Sequence, residues 1–145
     1  MRLFITIEGQ NCTEIGLSQI LSDVRSQLSF LTNIELLSDN ESKYGTEFKL
    51  IAIIPTCVDE ECWNILGWKE RKQIWRKKGE ADIRLRMDYE RFVKETPENK
   101  RLMFIDIIIK SIQAVQEHSK ADFNGEVLIS DILSELDVTM EQLDF

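Results

Sequence analysis

Residues 69–89 read KERKQIWRKKGEADIRLRMDY, and the fold is decided there. Ala81, Ile83, Leu85, Met87 and Tyr89 fall on one parity, Asp82, Arg84, Arg86 and Asp88 on the other. Successive side chains of a strand point to opposite faces, so this alternation predicts a half-buried strand with a polar outer face. Upstream, Lys78-Gly79 supplies a turn, because glycine enters positive φ at little steric cost, and the two arms together predict a β-hairpin. The first arm, 69–77, is poor in apolar residues, with only Ile74 and Trp75. Charge along a strand protects an open sheet edge from pairing with other chains, so this arm is expected at an edge.

Downstream of the hairpin the period becomes helical. Thr96-Pro97 marks a helix start, with Thr as N-cap and Pro at the first helical position, where its missing N–H costs nothing. Leu102, Ile105, Ile108, Ile109, Ile112 and Val115 recur at helical spacing, and Met103, Phe104 and Ile107 widen the stripe. This helix is expected to be the central one, packed across the sheet. His118 stands at its end, where a cation complements the helix dipole, so it is read as a capping residue. A last helix is predicted over 125–136, with Val127, Leu128, Ile132 and Leu133 inward and Asp131 and Glu135 outward. The tail, 137–145, is expected to add a further turn.

Upstream of the hairpin, 2–8 reads as a strand with Leu3, Ile5 and Ile7 on one parity and Phe4 on the other. Leu17, Ile20, Leu21, Val24, Leu28 and Leu31 predict an amphipathic helix of about four turns. Residues 34–37 form a short apolar piece that the pattern leaves unassigned, a strand being one reading. FKLIAII, 48–54, is a buried strand that Pro55 is expected to stop, since proline offers no N–H to the ladder. Residues 56–68 read as a helical turn or an ordered loop. Together these elements predict one α+β domain over residues 1–145. Its architecture is expected to be an antiparallel sheet of about four strands, with three main helices packed largely on one face.

Charge is unevenly distributed. The chain of 145 residues carries a net charge of −8, yet between Lys69 and Arg86 eight basic residues face three acidic ones, leaving −13 on the remainder. From Ala121 to Phe145 there are seven acids and no Lys or Arg. Such an acidic body disfavours nucleic acid and suits a basic partner protein, although acidity also serves simple solubility. The apolar runs are too short to span a membrane, and the N-terminal one is too short for a signal peptide, so a cytoplasmic location is expected. Cys12, Cys57 and Cys62 are odd in number and irregularly spaced, which points to reduced, mostly buried thiols.

The six glycines are scattered singly, so no phosphate-binding loop is present. One histidine excludes a His cluster for metal, and no Gly-x-Ser-x-Gly nucleophile motif occurs. Asp59, Glu60 and Glu61 are contiguous acids, a pattern typical of a solvated loop rather than an acid–base pair. No enzyme activity, cofactor or metal is expected.

Five segments nonetheless fit a known pattern: RLFITIEG (2–9), FKLIAIIP (48–55), KKGEADIRLRMDYERF (77–92), IIIKSIQAV (107–115) and KADFNGEVLISDIL (120–133). In this order they resemble the immunity protein 44 family of bacterial polymorphic toxin and contact-dependent inhibition systems. The resemblance implies a small cytoplasmic protein, a monomer or weak dimer, that binds the C-terminal domain of a cognate toxin and neutralises it. Many such toxins are nucleases with basic clefts, and an acidic inhibitor gains association rate from steering. Asp59, Glu60 and Glu61 with Trp63 and Trp68 are one candidate toxin-binding surface, since tight interfaces are anchored by Trp. Two core tryptophans beside a solvated loop explain the same residues. The alternative binding face is Arg84, Arg86 and Trp75. A nucleic-acid-associated regulator, using the basic hairpin with Trp75 for stacking, is the runner-up function.

Overall fold

A computed structural model describes residues 1–5, 28–39, 43–56, 72–87 and 89–143. Within them the chain forms β1 (Arg2–Ile5), α1 (Leu28–Ser38), β2 (Leu50–Thr56), β3 (Lys72–Lys77), β4 (Glu80–Arg86), α2 (Tyr89–Lys94), α3 (Pro97–Glu117) and α4 (Gly125–Leu136), followed by a 3-10 turn at Met140–Leu143. The predicted hairpin is present: Lys77 pairs with Glu80 and Lys72 with Leu85. Gly79 takes φ 73° in its turn. The four strands lie in the order β1-β2-β4-β3, so β3 is indeed at an edge.

Three expectations are corrected. The sheet is mixed rather than antiparallel: β2 runs parallel to both β1 and β4, and only the hairpin is antiparallel. A two-residue turn can join only antiparallel neighbours, whereas the long stretches separating β1 from β2 and β2 from β4 allow the chain to return in the same direction. Residues 34–37 belong to helix α1, because Phe30, Leu31 and Ile34 continue a helical period and are all buried. Of the helix predicted from Leu17 to Leu31, residues 17–27 lie outside the described residues. Finally, Pro55 does not stop β2 but pairs with Leu85 inside it. The Thr56 carbonyl accepts from the Met87 N–H on the β4 side, so alternation turns the backbone N of Pro55 toward β1. The last described β1–β2 pair is Ile5 with Ile53, two residues before the proline, so its missing donor interrupts no ladder bond among the described residues.

One face of the sheet carries the core. Leu3, Ile51, Ile53, Ala81 and Ile83 are fully buried and share a cluster with Phe30 and Ile34 of α1, Phe104, Ile105, Ile108 and Ile112 of α3, and Leu128 and Ile132 of α4. Each such Leu, Ile or Phe side chain contributes roughly 1.5–3 kcal/mol on leaving water. The three main helices thus gather on one face, as predicted, with α3 against β4 and β2 and α1 against β1. Helix α1 also shields the free edge of β1: Ser38 Oγ accepts from the Leu3 N–H at 2.9 Å and Glu35 Oε1 from the Ile5 N–H at 3.3 Å. The two edges are therefore protected differently, β1 by a helix and β3 by charge.

The helix ends follow their local chemistry. Thr96 Oγ1 accepts from the Asn99 N–H at 3.2 Å, as the Thr-Pro signal requires. Thr96→Ala is expected to cost about 1 kcal/mol, read as a lowered midpoint in urea unfolding; an unchanged midpoint would rule the cap out as a contributor. His118 is the C-cap of α3, as predicted, but it acts through its backbone: its carbonyl accepts from the Arg76 guanidinium. Helix α4 begins where its sequence indicated, with the Gly125 N–H donating to Gln116 Oε1 at 2.6 Å.

A polar clasp closes the fold behind the hairpin. The Glu47 side chain, only 6% exposed, accepts from the Arg76 guanidinium of β3, from the Lys120 N–H at 2.8 Å, from the Ala121 N–H at 3.2 Å and from the Ser119 hydroxyl. Arg76 lies over the Phe48 ring, 4.9 Å from its centre, and Phe48 meets Phe123 edge-on at 5.2 Å. Two loops distant in sequence are thereby joined to each other and to the edge strand.

Candidate functional site

The polar parity of β4 faces away from the helices, and the strand register shows what stands beside it. One row crosses all four strands: Phe4 is opposite Ala52, Ala52 opposite Asp82, and Asp82 opposite Trp75. Phe4 and Trp75, at the two ends of this row, are 45% and 59% exposed. Four strands spaced about 4.8 Å apart place the two aromatics roughly 14 Å from each other at the backbone. Between them Ala52 is buried. In the next row Ile54 is opposite Arg84, and in the one after it Thr56 is opposite Arg86. Ala52 and Ile54 are buried, yet both stand apart from the main core.

Arg84, Arg86 and Trp75 therefore share one face. Arg84 is the diagonal neighbour of Trp75 across the β3–β4 pair, about 7–8 Å away at the backbone. Both arginines are half-buried, and each is engaged within the chain. The outermost row adds Arg2, Lys77 and Glu80, so the charged residues named here number four basic against two acidic.

Asp59, Glu60, Glu61, Trp63 and Trp68 lie outside the described residues, as do Cys12, Cys57 and Cys62. The chain leaves the described part at Thr56 and returns at Lys72, which border the same end of the sheet. Phe4 was not singled out from sequence as part of a binding face. Its opposite parity in β1 was the available signal, but only the register places it in the row of Trp75. Arg76, although on the same strand as Trp75, points the other way, toward Glu47.

Ionisation on the described surface is dominated by structural groups. Burial would raise the Glu47 carboxyl, but hydrogen bonds from the Lys120 N–H, Ser119, Arg76 and the Ala121 N–H outweigh it and hold it at about 2. The Tyr44 hydroxyl is pushed up by burial, by its 2.8 Å hydrogen bond to Asp131 and by that carboxylate's charge. Neither group faces the outer side of the sheet. Among the described residues no group of His, Cys, Asp and Glu has an arrangement to hold a metal ion, and no helix is long and apolar enough to cross a membrane.

Comparison with known families gives a match over residues 1–137 to the family described as immunity protein 44. No curated protein and no solved structure matches the chain.

Proposed function

Because this chain belongs to the immunity protein 44 family, we propose that it protects the cell that makes it by binding a cognate toxin domain in a stoichiometric complex. The observation that carries this reading is the family match, which spans nearly the whole chain. Neutralisation by binding needs a surface rather than a catalytic group, and the exposed aromatics Phe4 and Trp75 support that reading. The partner is the C-terminal toxin domain of a polymorphic toxin or contact-dependent inhibition system, met in the cytoplasm. A nuclease-type toxin fits best, since a net charge of −8 steers the inhibitor toward a basic, nucleic-acid-binding protein.

The direct test is co-purification with the toxin domain encoded beside it, followed by titration calorimetry. A 1:1 complex with nanomolar affinity or tighter, about 12 kcal/mol, is the expected result. Absence of any complex would sink this reading. In that case the basic hairpin should be titrated with duplex and single-stranded oligonucleotides, where steep salt dependence marks phosphate contacts.

A further inference from the structure

We infer that β3 is a latched arm: the Arg76 guanidinium holds it to the body of the fold, and on release β3 leaves β4 as one unit while the β1-β2-β4 sheet stays closed. The reason lies in how little else retains it. Among the described elements β3 packs chiefly on β4, and it stands at the end of the strand order. Ile74 is only half-buried against the core, and Trp75 is 59% exposed. By contrast β4 is paired on both sides and carries the fully buried Ile83. Segments with few buried apolar contacts are the ones that open below the free energy of global unfolding.

Arg76 supplies what burial does not. It donates to the enclosed Glu47 carboxylate and to the His118 carbonyl, and it lies 4.9 Å from the centre of the Phe48 ring. One side chain thus ties the arm to two segments far from it in sequence. Hydrogen bonds to a carboxylate shielded from water are roughly twice as strong as neutral ones, and a cation over an aromatic face adds to them. The turn provides the pivot. The Gly79 carbonyl accepts from the Lys49 N–H at 2.7 Å and from the Leu50 N–H at 3.3 Å, so that end of the hairpin stays fixed to the start of β2. Trp75 rides on the arm, so the latch also holds its exposed indole in place.

The register supplies a test within a single strand. The Met87 N–H donates to the Thr56 carbonyl of β2. Alternation therefore turns the amides of Ala81, Ile83 and Leu85 toward β2, and those of Asp82 and Arg84 toward β3. Residue-resolved hydrogen exchange on the full chain should show Asp82 and Arg84 exchanging at least about 10-fold faster than Ile83. As one opening they should also share protection factors within about threefold. Arg76→Met keeps the aliphatic stem and removes the donors, and should speed both amides by about 10-fold or more. Ile132→Val, in the core on α4, should speed Ile83 by about 3- to 10-fold and leave Asp82 and Arg84 within about twofold. Thermal melts verify that both variants fold, and the wild-type comparison stands without them. Equal exchange at Asp82, Ile83 and Arg84 would mean that β3 opens only with the whole fold, and would overturn the inference. So would unequal protection of Asp82 and Arg84, the mark of fraying residue by residue. Exchange there that Arg76→Met does not move would overturn the role of Arg76 as the latch.

Discussion

Alanine at position 45 is expected to destabilise the fold by about 3–5 kcal/mol, a large effect for a single added methyl group. Gly45 has φ 97°, and a Cβ there would stand 2.2 Å from the Asp122 carbonyl oxygen and 2.7 Å from its carbon. The obstacle is backbone, so no rotamer change relieves it. Positive φ alone costs a non-glycine residue roughly 1–2 kcal/mol. Relieving the clash also means moving the 118–124 loop, which is held on both sides of the contact. The Glu47 N–H donates to the Asp122 carbonyl at 2.8 Å, and the Asn124 N–H to the Tyr44 carbonyl at 2.9 Å. The Thr46 N–H donates to Asp122 Oδ2 at 3.1 Å. Losing two of these adds about 1 kcal/mol each. Urea unfolding should show a lower midpoint at unchanged slope. A loss below about 1 kcal/mol would mean that the loop yields freely, contrary to its hydrogen bonding. Gly79→Ala makes the contrast: a Cβ there meets only the Lys49 side chain at 3.7 Å, so its cost is that of positive φ alone.

Glu47→Gln is the second large effect, expected to cost about 2–3 kcal/mol at pH 7. Every hydrogen bond described for this carboxylate is one it accepts, from the Arg76, Ser119, Lys120 and Ala121 donors. An amide NH2 in place of one oxygen would turn a donor toward donors. The same arrangement makes the fold acid-sensitive. The carboxyl has a folded value of about 2 against an ordinary 4.5, so the native state binds protons less readily than the unfolded one. Its stabilisation is complete above about pH 5 and is lost as pH falls toward 2. Asp131 adds in the same direction: hydrogen bonding from Lys43 and Tyr44 holds its carboxyl below the usual range against the opposing effect of burial. Melting curves at pH 7, 5 and 3 should therefore converge for wild type and Glu47→Gln as pH drops. Curves that stay parallel would show that Glu47 is not the acid-sensitive group.

How much of this was legible beforehand differs from element to element. The alternation in 80–87, the Thr96-Pro97 start and the stripe of 102–115 are local patterns of side-chain period and capping. Each reappears in the structure with the expected burial. The edge position of β3 was readable for the same reason, since its charges are a local adaptation to solvent. The parity of Arg84 and Arg86 likewise showed that they would share a face.

Strand direction was not legible, because it depends on how long connections cross the sheet, and those connections carry no period of their own. Nor was the register that sets Phe4, Ala52, Asp82 and Trp75 in one row. The clasp was hidden most completely: Gly45 and Glu47 meet Asp122 and the 119–121 backbone more than seventy residues away. A single glycine or glutamate in a polar loop looks alike whether it is solvated or enclosed. By itself the sequence determined helices α3 and α4, the hairpin and the alternation of β4, since those follow from interactions a few residues apart. The tertiary structure alone decided strand direction, the aromatic row and the buried carboxylate, since each is created by segments that only folding brings together.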